Sequence, residues 1–288
     1  ITKAADIAVD KGIVVVTSAG NEGNSAWKYI TAPADGKKVI AVGAAMSNGN
    51  RASFSSFGPT YDGRIKPDVS ALGYNVYHAV TGTKSFYSYS NGTSLSCPLV
   101  AGVAALVVSA RPDLTPAKVT EALKNTASLA ETPNNELGWG IIDAYKAITY
   151  NGVVFSNEPI IEKSESGVKV STYIASSKLI NKNSVKVFYS LDGGAYNQIS
   201  MTIEGSGDEF NSGLYSATLP MSAGAKDISC YFTATDEKGE RKNPYNAPQK
   251  IFRILDVGKL PQDLPEEFRL NKNYPNHFNR STEIQFDV

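Results

Sequence analysis

Two polar residues of this 288-residue chain have types and surroundings that suit bond-making chemistry, Ser94 and Asn21. Ser94 lies in SYSNGTSLSCPLVAGVAALVVSA, Ser88 to Ala110, where a polar, glycine-containing turn runs straight into an aliphatic segment. A serine at a helix N-terminus caps free backbone N–H groups. The same position suits a nucleophile, because a hydroxyl becomes reactive once a neighbouring base takes its proton. Gly92 permits close approach of another molecule. Pro98 lacks the N–H that would bond the Ser94 carbonyl, which loosens the first turn. A helix start also aims N–H groups and a positive dipole end at any anion formed beside it. Asn21, in VVVTSAGNEGNS, falls just past a β-branched run, where open α/β sheets place their ligands. It reads either as an Asn in a left-handed turn between Gly20 and Gly23 or as an amide donor to a developing oxyanion.

A serine nucleophile needs a base and a residue to orient that base. The chain has two histidines, His78 in ALGYNVYHAV and His277 in the terminal tail. His78 reads as a surface or packing residue, and neither is the expected base. Asp35, Asp62 and Asp68 invite a calcium reading. Surface solvation is the expectation for all three, so no metal site is assigned, and the chemistry requires no cofactor. Cys97 and Cys230 fall in different zones and read as two free, packed thiols.

The elements that must position these residues come in three zones. Residues 1–151 have an α/β texture. IVVVTSAG and KVIAVGAA are continuous apolar runs typical of interior strands in a parallel sheet. Leu99 to Ser109 is apolar all round and predicts a buried helix. DLTPAKVTEALKNTA predicts an amphipathic helix with Thr115 as N-cap and Pro116 at its first position, and GIIDAYKAI a short closing helix. Helices alternating with strands imply helical layers around a mostly parallel sheet. Residues 152–255 change to a period of two. VKVSTYIA puts Val168, Val170, Thr172 and Ile174 on one face, and Asp192-Gly193-Gly194 marks a hairpin. Short strands without helices predict a β-sandwich of immunoglobulin or fibronectin-III type. Residues 256–288 open as a proline-containing linker and end in TEIQFDV, a terminal strand expected either to add to a neighbour or to belong to a domain cut off after Val288.

Lys+Arg and Asp+Glu are both 28, so no global field favours nucleic acid or an anionic membrane. The longest apolar run, Leu99 to Val108, is shorter than a bilayer span of about 20 residues. Ile1 begins mid-pattern with neither Met nor signal peptide, and a piece of a longer protein is expected.

Four segments, VVVTSAGNEG, ITAPADGKKVIAVGA, FSSFGPTYDGRIKPDV and NGTSLSCPLVAGVAALV, occur in the order and at roughly the distances seen in subtilisin-like serine proteases. Residues 1 to about 150 resemble the C-terminal half of that family's catalytic domain. The resemblance implies a partial three-layer subtilisin-like fold with Ser94 as nucleophile. Asn21 and the Ser94 N–H then form the oxyanion hole, and Ser18, Ala19 and Gly20 line the substrate side-chain pocket. The family's chain order, Asp then His then Ser, puts both triad partners upstream of Ile1, so the chain alone is expected to be inactive. SALG (Ser70 to Gly73) replaces the family's usual Ala-Pro-Gly. Ala32 replaces a frequent Tyr before Pro33-Ala34, which alters the pocket's surroundings. LNKNYPNHFNRST resembles the Tyr-Pro-Asn-Pro-Phe-Asn-Pro-Ser-Thr opening of C-terminal sorting or anchoring domains of secreted bacterial proteins, with His277 and Arg280 at two of its prolines.

The function so implied is that of a secreted or cell-surface endopeptidase acting on protein or peptide substrates. The alternative is a surface binding or adhesion protein that keeps the fold without turnover. Intact NGTSLSCP and SAGN favour the enzyme.

Overall fold

A computed structural model describes residues 1–164, 167–220, 227–255, 269–270 and 286–287. The elements of the first zone are α1 (Thr2–Asp10), β1 (Val16–Ser18), β2 (Ile40–Ala45), β3 (Val69–Leu72), β4 (Val76–Ala79), β5 (Tyr87–Ser90), α2 (Thr93–Ala110), α3 (Pro116–Asn125) and α4 (Ala144–Thr149). β1, β2 and β3 form a parallel sheet in that order. Every residue of β2 is buried, as an apolar run between two partners should be. The sister run yields only β1, a half-buried strand at the edge of the sheet as described.

α2 crosses all three strands, and α3 and α4 pack behind it. Val100, Ala104 and Val107 meet Ile40, Val42 and Val69 in one core. α3 starts where sequence predicts: the Thr115 hydroxyl accepts from Lys118 N–H, with Pro116 as first residue. Asp143 caps α4 in the same way.

The expectation of an all-round buried helix is corrected, because Leu99 is 45% and Leu106 53% exposed. Composition shows that a helix is apolar, and packing decides which sides are covered. By length and hydropathy alone α2 would also qualify as a membrane span; here its buried side packs on the sheet. Among the described residues α1 has no buried residue. Its Asp6 carboxylate accepts from Lys37 and Lys38 N–H in the approach to β2.

The second zone comprises β6 (Val154–Phe155), β7 (Ile160–Ser164), β8 (Gly167–Ala175), β9 (Lys186–Leu191), β10 (Asn197–Ser200), β11 (Thr202–Ile203), β12 (Gly213–Leu219), β13 (Asp227–Asp236), β14 (Gly239–Asn243) and β15 (Phe252–Leu255). They make two antiparallel five-stranded sheets, β10-β9-β13-β14 with β15 on β13, and β11-β12-β8-β6 with β7 on β8. Val168, Val170, Ile174, Tyr215 and Leu219 of one sheet share a core with Val187, Ile228, Cys230 and Phe232 of the other. The β9–β10 turn has Asp192 at φ 48° and Gly193 at φ 74°, the positive pair that a tight hairpin needs. Phe286–Asp287 pairs antiparallel with Arg269–Leu270, which gives the terminal strand a neighbour; the other residues from 256 to 288 lie outside the described ones.

Candidate active site

β1 ends at Ser18, and the chain continues through buried Ala19 to Gly20 and Asn21. Ala19 is tied on both sides, donating to Val42 O at 2.8 Å and accepting from Thr31 N–H at 3.0 Å. Gly20 has φ +110°, and a Cβ there would stand 2.6 Å from Thr31 Oγ1 and 2.8 Å from Ser56 Oγ, so glycine is required on both counts. Ser56 N–H donates to Gly20 O at 2.9 Å, and Ser56 Oγ accepts from Glu22 N–H at 3.0 Å. The segment leading into Asn21 is thus held by backbone and hydroxyl contacts from three directions.

From the other side, α2 begins at Thr93 with Ser94 as its second residue. Asn21 and Ser94 are exposed, whereas Gly92 and Thr93 behind them are buried. Asn21 Oδ1 accepts from both Thr93 N–H and Thr93 Oγ1–H, each at 2.9 Å. Thr93 Oγ1 in turn accepts from Gly20 N–H at 3.3 Å. With its oxygen committed to Thr93, the Asn21 amide has its fixed free end at Nδ2, a pure donor. A Cβ added to Gly92 would lie 3.0 Å from Ser94 Oγ, 3.7 Å from Ser94 N and 3.8 Å from Asn21 Nδ2. Three polar atoms, a hydroxyl and two N–H donors, therefore border one small space that only glycine leaves open.

No acidic residue occupies the first turn of α2, so its positive end is not neutralised there. Ser18 turns its hydroxyl to Cys97, a hydrogen bond that lowers a thiol whose pKa burial raises more strongly.

His78 lies on β4. Its Nδ1 contacts Ala79 O at 2.8 Å and its Nε2 contacts Ser90 Oγ at 2.7 Å, so both ring nitrogens are engaged on the β4–β5 hairpin. His277 lies outside the described residues. Cys97 and Cys230 are both free, and burial in the β core pushes Cys230 up to about 12.

The carboxylates differ from one another. Asp62 is exposed and salt-bridged to Arg64, whose hydrogen bond is the first cause holding it down to about 2. Asp35 accepts from Thr2 Oγ1 at 2.8 Å. Asp68 corrects the expectation of surface solvation: it is 3% exposed and lies between Lys66 Nζ and Lys124 Nζ, with Ala41 N–H at 2.8 Å. Burial depresses the Lys66 pKa, and the neighbouring Asp68 opposes that shift.

Sequence reading missed Thr93 and Ser56. Thr93 sits beside Ser94 in the quoted motif, yet its partner Asn21 is 72 residues away and no local pattern announces the pair.

A model of the subtilase family, peptidase S8, matches residues 1–140. Serine protease AprX of Bacillus subtilis (strain 168) is 36% identical over 168 residues, 51% of this chain and 38% of its own. Subtilisin DY of Bacillus licheniformis is 44% identical over 129 residues, 44% of each chain. Subtilisin BL of Lederbergia lenta is 39% identical over 148 residues, 51% of this chain and 50% of its own. The chain thus spans half or less of the length of these relatives. The subtilase match over residues 1–140 takes in the whole Asn21–Thr93–Ser94 cluster.

Proposed function

We propose that the chain is part of a serine endopeptidase in which Ser94 attacks the carbonyl carbon of a peptide bond. The observation carrying this reading is the convergence of Ser94 Oγ, Ser94 N–H and Asn21 Nδ2 on the space above Gly92, with Asn21 Oδ1 held by Thr93. In the attack, Ser94 Oγ bonds to carbon and gives its proton to a base. The former carbonyl oxygen becomes negative and takes hydrogen bonds from Asn21 Nδ2 and Ser94 N–H, reinforced by the start of α2. Collapse releases the amine, which receives that proton, and leaves an acyl group on Ser94 for water to remove.

The subtilase chain order, Asp then His then Ser, puts the base and its orienting acid upstream of Ile1, and His78 has both ring nitrogens engaged on its own hairpin. Ile1–Val288 alone is therefore expected not to turn over peptides. Ser18, Ala19 and Gly20 form a wall of the pocket for the side chain preceding the scissile bond, consistent with the way Ala19 and Gly20 are fixed. The protein works outside the cell, residues 152–255 are a spacer, a substrate-docking module or a domain packed against the catalytic one, of immunoglobulin or fibronectin-III type, and residues 256–288 begin a sorting or anchoring domain.

A fluorophosphonate probe applied to the full-length protein tests the reading. Labelling at Ser94 that disappears in Ser94→Ala is the expected result. Absence of labelling in folded wild-type protein would overturn it in favour of a subtilase-fold surface binding protein without turnover.

A further inference from the structure

The chain passes from the α/β zone into the sheets at Asn151 and Gly152, and two arginines close on that crossing. Arg111, just after α2, donates from Nη1 to Asn151 O at 2.8 Å, and Arg241 on β14 donates from Nη2 to the same oxygen at 3.0 Å. A carbonyl oxygen has two lone pairs and accommodates both. The two guanidinium groups differ in what else they touch. Arg111 holds Asp113 through Nε and Nη2, at 2.9 and 2.7 Å. Arg241 has no carboxylate partner among the described residues; its Nη1 donates to Glu240 O at 3.1 Å, and its Nε is buried without a partner. Asn151 Nδ2, another donor, is also buried and unpartnered. Burial, and then the charge of Arg111, depress the Arg241 pKa, and the carboxylates of Asp113 and Asp236 oppose that shift. The crossing has an excess of donors, while Asp113 and Asp236 balance the charge of its two guanidinium groups.

A cleft of about 390 Å³ opens beside it, lined by Arg111, Arg241, Lys242 and Lys250 together with Phe155 and Tyr245. Asp113 and Glu240 also reach it. Asp113 is committed to Arg111, and among the described residues neither carboxylate forms an ion pair with Arg241, Lys242 or Lys250. Lys242 Nζ lies 6.0 Å from the Tyr231 ring centroid. Lys250 is exposed at the rim. A guanidinium has five N–H donors, and Arg241 directs two of its groups to backbone oxygens, which leaves donors for a further acceptor.

The geometry points to an oxyanion site at this seam: the cleft takes the carboxylates of an acidic peptide segment, or a free oxyanion of the same chemistry, between Arg241 and Lys250. Phe155 and Tyr245 give the peptide's aliphatic carbons a surface to lie on. The site is independent of Ser94 and of any turnover.

Isothermal titration of the full-length protein at low salt, with a capped tetraglutamate peptide and separately with sodium sulfate, tests the proposal. Saturable binding is expected, with Kd raised at least about 10-fold in Lys250→Glu and in Arg241→Gln, the scale of one lost charge-assisted hydrogen bond. Lys250→Glu leaves the Asn151 clamp intact, so it keeps the test valid if Arg241→Gln fails to fold, which circular dichroism reports. Tighter binding of the peptide than of sulfate identifies a polypeptide source, and the reverse order identifies a free anion; both support the site. No saturable binding of either probe, or affinity unchanged in the folded variants, overturns it.

Discussion

Phe232 and Leu106 are large apolar residues in the longest strand and the longest helix of the described chain, and their surroundings are opposite. Phe232 is fully buried on β13, between two sheets whose apolar faces meet. Leu106 is 53% exposed on α2, because the sheet, α3 and α4 cover other sides of that helix and leave this one open. Ile7 and Ile13 nearby are also exposed, at 58% and 56%. The β zone satisfies its own hydrophobic pattern. The α/β zone does so only in part, and presents the polar cluster around Ser94 at its surface. Cohesion and chemistry are thereby divided between the zones: the sheets carry a closed core, while Asn21 and Ser94 stand exposed on a buried Thr93 and Gly92.

Removing the Phe232 ring tests the cohesive half of this comparison. Phe232→Ala is expected to cost about 3–5 kcal/mol, lost burial plus an unfilled cavity, read by urea unfolding of Ile1–Val288. A loss below about 1 kcal/mol would mean that the two sheets do not share a tight core.

Asn21→Ala tests the chemical half with an effect of similar size on a different quantity. Turnover by the full-length enzyme is expected to fall about 10²–10³-fold, with little change in KM. That is the magnitude by which the oxyanion amide contributes in subtilisin. Stability is expected to fall as well, by about 1–3 kcal/mol, because the N–H and hydroxyl of buried Thr93 lose their acceptor. A rise in KM at unchanged turnover would make Asn21 a substrate-binding residue instead.

Cys230 extends the comparison to pH. Burial raises its thiol to about 12 in the folded chain, against an ordinary value of 9.0. Below pH 9 the thiol is neutral in both states and its contribution is fully present. Between pH 9 and 12 the unfolded chain ionises first, so stability falls as pH rises, by about 1.4 kcal/mol at pH 10. Unfolding curves at pH 8 and 10 measure this, and Cys230→Ala should flatten the difference. Equal losses in wild type and variant would place the alkaline sensitivity elsewhere.

Legibility in the sequence followed the range of the interactions. The Asp192-Gly193 turn and the Thr115-Pro116 helix start were readable because positive φ and capping are local requirements. β2 was readable because a strand buried on both faces must be apolar throughout. Ser94 and Asn21 stood out by type, but the contact that orders them runs through Thr93, 72 residues from Asn21. Asp68 looked like any acidic residue in a loop; Lys66 and Lys124, which enclose it, converge only after folding. The outer side of α2 was misread for a related reason: apolar composition is a property of the helix, whereas coverage depends on what packs against it.

That last point leads to the smallest expected effect. Leu106 sits on the uncovered side of α2, so Leu106→Ala in Ile1–Val288 is expected to change stability by less than about 0.5 kcal/mol, the scale of an ordinary surface substitution. The same substitution in the full-length protein separates two explanations of the helix's composition. A cost of about 2 kcal/mol or more there would mean that this side of α2 is packed in the longer protein, and that all-round apolarity reports a real core. An equally small cost in both contexts would leave Leu106 at the surface. Ala101, Ala105 and Val108, with Val14 and Val16 of the β1 edge, would then form an exposed apolar groove rather than an interior seam.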